Sequence, residues 1–161
     1  MEEIAEKADV ARATLYNHFP SKGEVVLALA SSIAEQWLRK GAARLEKDRS
    51  PCAAISEVLI GAAEWFDKHP DSASAFFYAM REIMTQSTHE SPPPTLIPTE
   101  WIVAAQKQGE LTNELPPEMV MLILDSVLRH HMIQRVRGKT KGKAAASVRK
   151  HLDIAMQRLQ P

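Results

Sequence analysis

Apolar residues recur in this chain at three- and four-residue spacing from Ile4 to Leu159, and no stretch alternates with the two-residue period of a strand. That pattern restricts the fold to helices packed on helices. Start and stop signals cut it into pieces. Ser21-Lys22-Gly23-Glu24 reads as a capping box. It opens a long helix whose stripe of Val26, Leu29, Ala30, Ile33, Trp37 and Leu45 runs to about Glu46. Ser50-Pro51, a capping serine with proline in the first turn, opens the next helix. Its face carries Ile55, Val58, Leu59, Ala62, Trp65 and Phe66, and it ends near His69-Pro70. Asp71 or Ser72 caps a further helix with Phe76, Phe77, Met80, Ile83 and Met84, and Ser91-Pro92-Pro93-Pro94 reads as a loop. A shorter helix with Trp101, Ile102 and Ala105 stops at Gly109. Pro116-Pro117-Glu118 starts an unusually apolar helix, Met119 to Leu128, expected to be covered on more than one side. A basic linker, Arg135 to Lys143, leads to a last helix with a narrow stripe of Val148, Leu152, Ala155, Met156 and Leu159. The sequence predicts an all-α fold.

The 161 residues suffice for one compact unit or two small lobes sharing a core. The 20 basic and 20 acidic residues cancel, so net charge does not announce a nucleic-acid partner. Their distribution is uneven: residues 51–128 carry 3 basic and 11 acidic residues, residues 129–161 carry 9 basic and 1 acidic. Cys52 is the single cysteine and excludes an internal disulfide, which fits a reducing compartment. There is no leader pattern at the start and no apolar run long enough to span a bilayer, so a cytoplasmic protein without a membrane partner is expected.

The first twenty-odd residues carry the sharpest chemical signal. Residues 1–8 and 12–19 read as two short helices joined by a tight turn. Ile4, Ala5, Ala8, Val10, Leu15 and Phe19 are placed to hold them together. On the second helix Leu15 and Phe19 face inward, and the opposite side is centred on Ala13 and Asn17. Arg12, Thr14, Tyr16 and His18 flank it. Arg can fork to guanine, Asn can pair with adenine, and an Ala or Thr methyl can meet thymine. Tyr16, and Lys22 beside a helix N-terminus, suit phosphates. Spacing alone serves either a DNA-reading helix or a helical hairpin with a solvated polar face.

Ile4-Ala5-Glu6-Lys7-Ala8-Asp9-Val10 followed by Ala13-Thr14-Leu15-Tyr16-Asn17-His18-Phe19-Pro20-Ser21-Lys22 closely resembles the DNA-binding motif of TetR-family transcriptional regulators. The family pattern is an IAxxAGV helix followed by xTLYxHFxSK. Asp9 stands where the family usually has glycine, and Asp tolerates a left-handed conformation. The resemblance implies a TetR-like fold, with residues 1–24 as the helix-turn-helix and 25–161 as a ligand-binding and dimerising body. It implies phosphate contacts by Tyr16 and Lys22, a base-facing surface of Arg12, Ala13, Thr14 and Asn17, and either a phosphate contact or packing for His18. The family's unit has three helices, the first of which would precede Met1, so an incomplete, N-terminally shortened unit is expected. The implied function is a ligand-responsive repressor binding a palindromic double-stranded DNA operator as a homodimer. The other reading is a ligand-binding or interaction dimer of the same fold that has lost specific DNA binding.

Bulky, soft side chains gather between residues 65 and 121, and each serves equally as plain core. The resemblance implies an effector pocket among them for an apolar or aromatic molecule, with Trp65, Phe66, Phe76, Phe77, Met80, Met84, Trp101 and Met121 as candidates. Gln106 to Leu111, followed by Leu115 to Glu118, also resembles the family's ligand-binding region. The last two helices, 119–135 and 143–160, offer apolar seams that fit either a homodimer or packing within one chain. His130 and His131, adjacent on a helix, point about 100° apart and do not converge on one metal ion. The basic linker fits a nucleic-acid contact, a solvated loop or a counter-charge to the acidic middle. Cys52 follows a helix start, which can depress a thiol pKa. No nucleophile elbow, phosphate-cradling loop or metal-ligand cluster is present, so no enzyme activity and no cofactor are expected.

Overall fold

The computed structural model describes residues 1–72, 74–76, 96–139 and 142–161. Its helices are α1 (Glu2–Lys7), α2 (Arg12–His18), α3 (Lys22–Asp48), α4 (Pro51–Lys68), α5 (Thr99–Lys107), α6 (Pro117–Val136) and α7 (Ala144–Arg158). Residues 70–72 and 74–76 are also helical, and no strand occurs among the described residues. The all-α reading is the fold observed. Phe77, Met80, Ile83, Met84 and the proline loop at 92–94 lie outside the described residues.

Local chemistry sets the helix ends. Ser21 Oγ accepts the Glu24 backbone N–H at 3.2 Å and Ser50 Oγ accepts that of Ala53 at 3.1 Å, so both serine caps are formed. α3 runs past Glu46 to Asp48, because Arg49 closes it in a left-handed conformation, φ 57°. Gly109, φ 73°, ends α5 after Gln108 as its position predicts.

α4 is the hub. It packs against α3, α5, α6 and α7, and α6 and α7 pack on each other. Ala54, Ile55, Val58, Leu59, Ile60, Ala62, Ala63 and Phe66 are buried around most of its circumference. Its small alanines admit neighbours on several sides. Met119–Leu128, expected to be covered on more than one side, buries Val120, Leu124 and Leu128 and half-buries Met121, Ile123 and Val127, but leaves Met119 and Leu122 exposed. Leu29, expected in the α3 stripe, is also exposed.

Gly41 lets α3 close onto its neighbours. A Cβ there would lie 2.6 Å from Val58 Cγ2 and 2.8 Å from the Trp101 ring. No side chain fits in that space.

Candidate nucleic-acid interface and effector region

Ala5 and Leu15 are the buried side chains between α1 and α2. Ile4 and Phe19 are half-buried, while Ala8 and Val10, expected to join that contact, are exposed. The turn between the helices runs through Asp9 at φ 51°, the left-handed conformation that aspartate tolerates. The Val10 N–H donates to the Ala5 carbonyl at 3.0 Å and closes the turn. α2 starts after an extended Ala11 and ends at an extended Phe19 ahead of Pro20.

With Leu15 turned inward, Arg12, Ala13, Thr14, Tyr16, Asn17 and His18 are all exposed on α2, and Lys22 is exposed at the first position of α3. α2 contains no acidic residue. One carboxylate reaches it from outside: Glu2 Oε1 lies 2.6 Å from Arg12 Nη1, with both side chains solvent-exposed. The surface therefore offers a small apolar group, hydroxyl, amide and imidazole donors, and two cations along a width that a major groove accepts. His18 is also turned toward Phe19, with ring centroids 6.4 Å apart.

In the body, Trp65, Phe66 and Phe76 come together, and Trp37 of α3 joins them. Phe66 and Phe76 meet edge-to-face at 5.0 Å, Trp65 and Phe66 at 5.2 Å, and Trp37 lies about equally far from the other three, at 6.1–6.2 Å. Trp65 also stacks on His69, whose Nδ1 donates to the Trp65 carbonyl at 2.9 Å. Trp37 shows in the sequence only as one more position of a core stripe. Trp101 lies against Gly41, one turn along α3 from Trp37. Met121 is half-buried against the core. The candidate effector positions Phe77, Met80 and Met84 lie outside the described residues.

The segment after α5 is a latch. Gln106 is buried, and its Nε2 donates to the carbonyls of Thr112 and Leu115, both at 2.8 Å. Glu110 reaches across to the start of α4 and accepts from the Cys52 N–H at 2.8 Å and the Ser50 hydroxyl at 3.1 Å. The surroundings of Cys52 reverse the expectation for its thiol. Burial, and then the Glu110 side chain, push the thiol up to about 12, overriding any lowering by the helix start.

The basic linker supplies a counter-charge to the acidic middle. Arg135 Nη1 meets Asp67 Oδ1 at 2.8 Å, and Asp67 accepts the N–H groups of Ala144 and Ala145, both at 2.9 Å. An open groove of about 360 Å³ beside them is lined by Glu64, Asp67, Lys68, Lys143, Ala145 and Ala146. Arg137 and Lys139 are exposed, and Thr140 and Lys141 lie outside the described residues. Among the described residues no group of three or more His, Cys, Asp or Glu side chains could hold a metal ion. No described helix is long and apolar enough to cross a membrane.

Residues 1–29 match the family described as bacterial regulatory proteins, tetR family. Over the whole chain the fold is similar to that of a crystal structure from Rhodococcus sp. assigned as a TetR-family transcriptional regulator. The TM-score is 0.62 at 15% identity, covering 99% of this chain and 86% of that one. At that identity the likeness is one of fold. No curated protein matches the chain.

Proposed function

We infer function from the premise that this chain belongs to the TetR family, whose members are DNA-binding transcriptional regulators. Our reading is a ligand-responsive repressor that binds a palindromic operator as a homodimer. The observation that carries it is the exposed row of Arg12, Ala13, Thr14, Tyr16, Asn17 and His18 on α2, followed by Lys22 at the capped start of α3. In this reading Tyr16 and Lys22 hold phosphates, Arg12, Ala13, Thr14 and Asn17 face base edges, and His18 stands at the boundary.

Two copies joined through α6 and α7 would present two α2 helices to half-sites about 34–36 Å apart, or a multiple of that. Met119, Leu122 and Ile154 are exposed on these helices, which supports the assignment. The rings of Trp37, Trp65, Phe66 and Phe76 favour an apolar or aromatic effector. Trp37 belongs to the same helix whose N-terminus follows α2, so an effector that reorders these rings acts on the placement of α2.

Titration of labelled operator candidates against competitor DNA at several salt concentrations tests the reading. Specific binding survives random competitor and falls with salt as several phosphate contacts require. Lys22→Ala should weaken binding on all sequences, whereas Asn17→Ala should change the preference among them. Complete loss of binding to random competitor, or identical behaviour of the two variants on every site, would refute it.

A further inference from the structure

The last two helices meet through a pair of histidines that neither base reading nor effector binding uses. His131 is buried on α6 and His151 is exposed on α7, and His131 Nε2 lies 2.8 Å from His151 Nδ1. The ring centroids are 5.0 Å apart and the planes differ by 15°. Little more than the two ring radii is left after the N···N distance, so the rings meet edge to edge through an N–H···N bond. His130 stands edge-on to His131, with centroids 5.5 Å apart and planes at 85°.

Such a pair tolerates a limited number of protons. Neutral or singly protonated, it keeps one bridging N–H and one lone pair to receive it. A further proton removes the acceptor and sets two cations in contact. Burial first, then His151, then His130 hold the His131 pKa below its ordinary value. A histidine so lowered binds fewer protons folded than unfolded. Its stabilising contribution is complete above the ordinary value of about 6.5 and is lost as pH falls toward the folded value.

On the helices that carry and pack against the pair, the other charged groups include Asp125 and Arg129, paired on α6, and Arg135, held by Asp67. α7 brings Arg149, Lys150 and Asp153, α4 brings Glu57, Glu64 and Asp67, and α5 brings Glu100 and Lys107. Glu64 and Asp67 sit toward the first turn of α7, two turns before His151.

The pair adjoins the face assigned above to self-association. Leu122, Ser126 and His130 form one exposed row at four-residue spacing on α6. His151 and Ile154 are exposed one turn apart on α7, and Leu122 and Ile154 are 59% and 49% exposed. We propose that the His131–His151 hydrogen bond, with His130 beside it, makes the association of two copies through α6 and α7 proton-sensitive. The proposal rests on the homodimer reading. A second copy on this face takes His130 and His151 out of water, which raises the cost of charging them, so dissociation takes up protons.

Sedimentation of the full chain at about pH 8 and about pH 5.5, at fixed ionic strength, tests this. The wild-type dimer dissociation constant should rise at least about tenfold on acidification. His151→Gln keeps an amide N–H to donate to His131 but cannot take a proton there, so its constant should change less than about threefold. Equal responses of wild type and His151→Gln, or a wild-type dimer indifferent to pH, overturn the proposal and leave the homodimer standing. A wild-type monomer at about pH 8 overturns both. Should His151→Gln not fold, the wild-type imidazole C–H resonances decide. A His131 titration that tracks dissociation supports the proposal, and one that is independent of it overturns it.

Discussion

Removing the Asp67 carboxylate should cost this fold about 3 kcal/mol. Its side chain is 9% exposed and that of its partner Arg135 is 19% exposed. Asp67 sits in the last turn of α4, where its own helix dipole disfavours it, so the compensation comes from elsewhere. It comes from α7, whose N-cap residue Lys143 makes no side-chain cap and whose first two N–H groups donate to Asp67 instead. Losing a cap costs about 1–2 kcal/mol. Leaving a largely buried guanidinium without its carboxylate costs about 3 kcal/mol or more when burial is complete, and about 2 with Arg135 a fifth exposed. The two terms share one carboxylate and do not add fully, which gives about 3 kcal/mol for Asp67→Ala. For a chain of this size that lowers Tm by about 6–12 °C at fixed protein concentration. Asp67→Asn retains an acceptor and should lose about half as much. Thermal and urea unfolding of both variants, with Arg135→Met to close a double-mutant cycle, measures these terms. A loss below about 1 kcal/mol for Asp67→Ala, the range of a solvent-exposed pair, would refute the reasoning.

Gly41→Ala should destabilise by about 1–2 kcal/mol despite the better helix propensity of alanine, because overpacking against Val58 and Trp101 outweighs a gain of about 1 kcal/mol. An unchanged or raised Tm would contradict the contact. Gln106→Met, which leaves the Thr112 and Leu115 carbonyls without their donor, should cost about 2 kcal/mol in urea unfolding. Cys52, with its thiol pushed up to about 12, should resist iodoacetamide in the native state at about pH 8 and react fully once unfolded. Glu110→Gln should speed native labelling, because it removes the charge that opposes the thiolate.

The parts legible in the sequence are those whose cause lies within a few residues. Ser21 and Ser50 announce helices that they then cap, Asp9 adopts the left-handed turn its side chain tolerates, and Gly109 marks the end of α5. The exposed face of α2 follows from Leu15 turning inward, so the candidate DNA-facing residues were recoverable from periodicity. What escaped has its cause at long range. Adjacent His130 and His131 give no hint that the partner of His131 is twenty residues away on α7. The helix start at Cys52 suggests a lowered thiol pKa until burial, and then Glu110 from 58 residues later, raise it. Asp67 reads as one more solvated acid until α7 docks its N-terminus there. Each depends on which helices lie side by side and in what register, and periodicity does not carry that information.

Gly41 has a mechanical consequence. There the Val58 side chain of α4 and the Trp101 ring of α5 close on the backbone of α3 with no room for a methyl group, so a tilt of this 27-residue rod would pivot there. Lys22, nineteen residues away, is the tip of an arm about 28 Å long. A tilt of about 5° at the fulcrum carries the tip about 2.5 Å, most of the step between neighbouring nucleotides on one strand. Trp37 sits one turn from the fulcrum, on the arm side. A displacement of Trp37 about that pivot would be magnified several-fold by the time it reached α2.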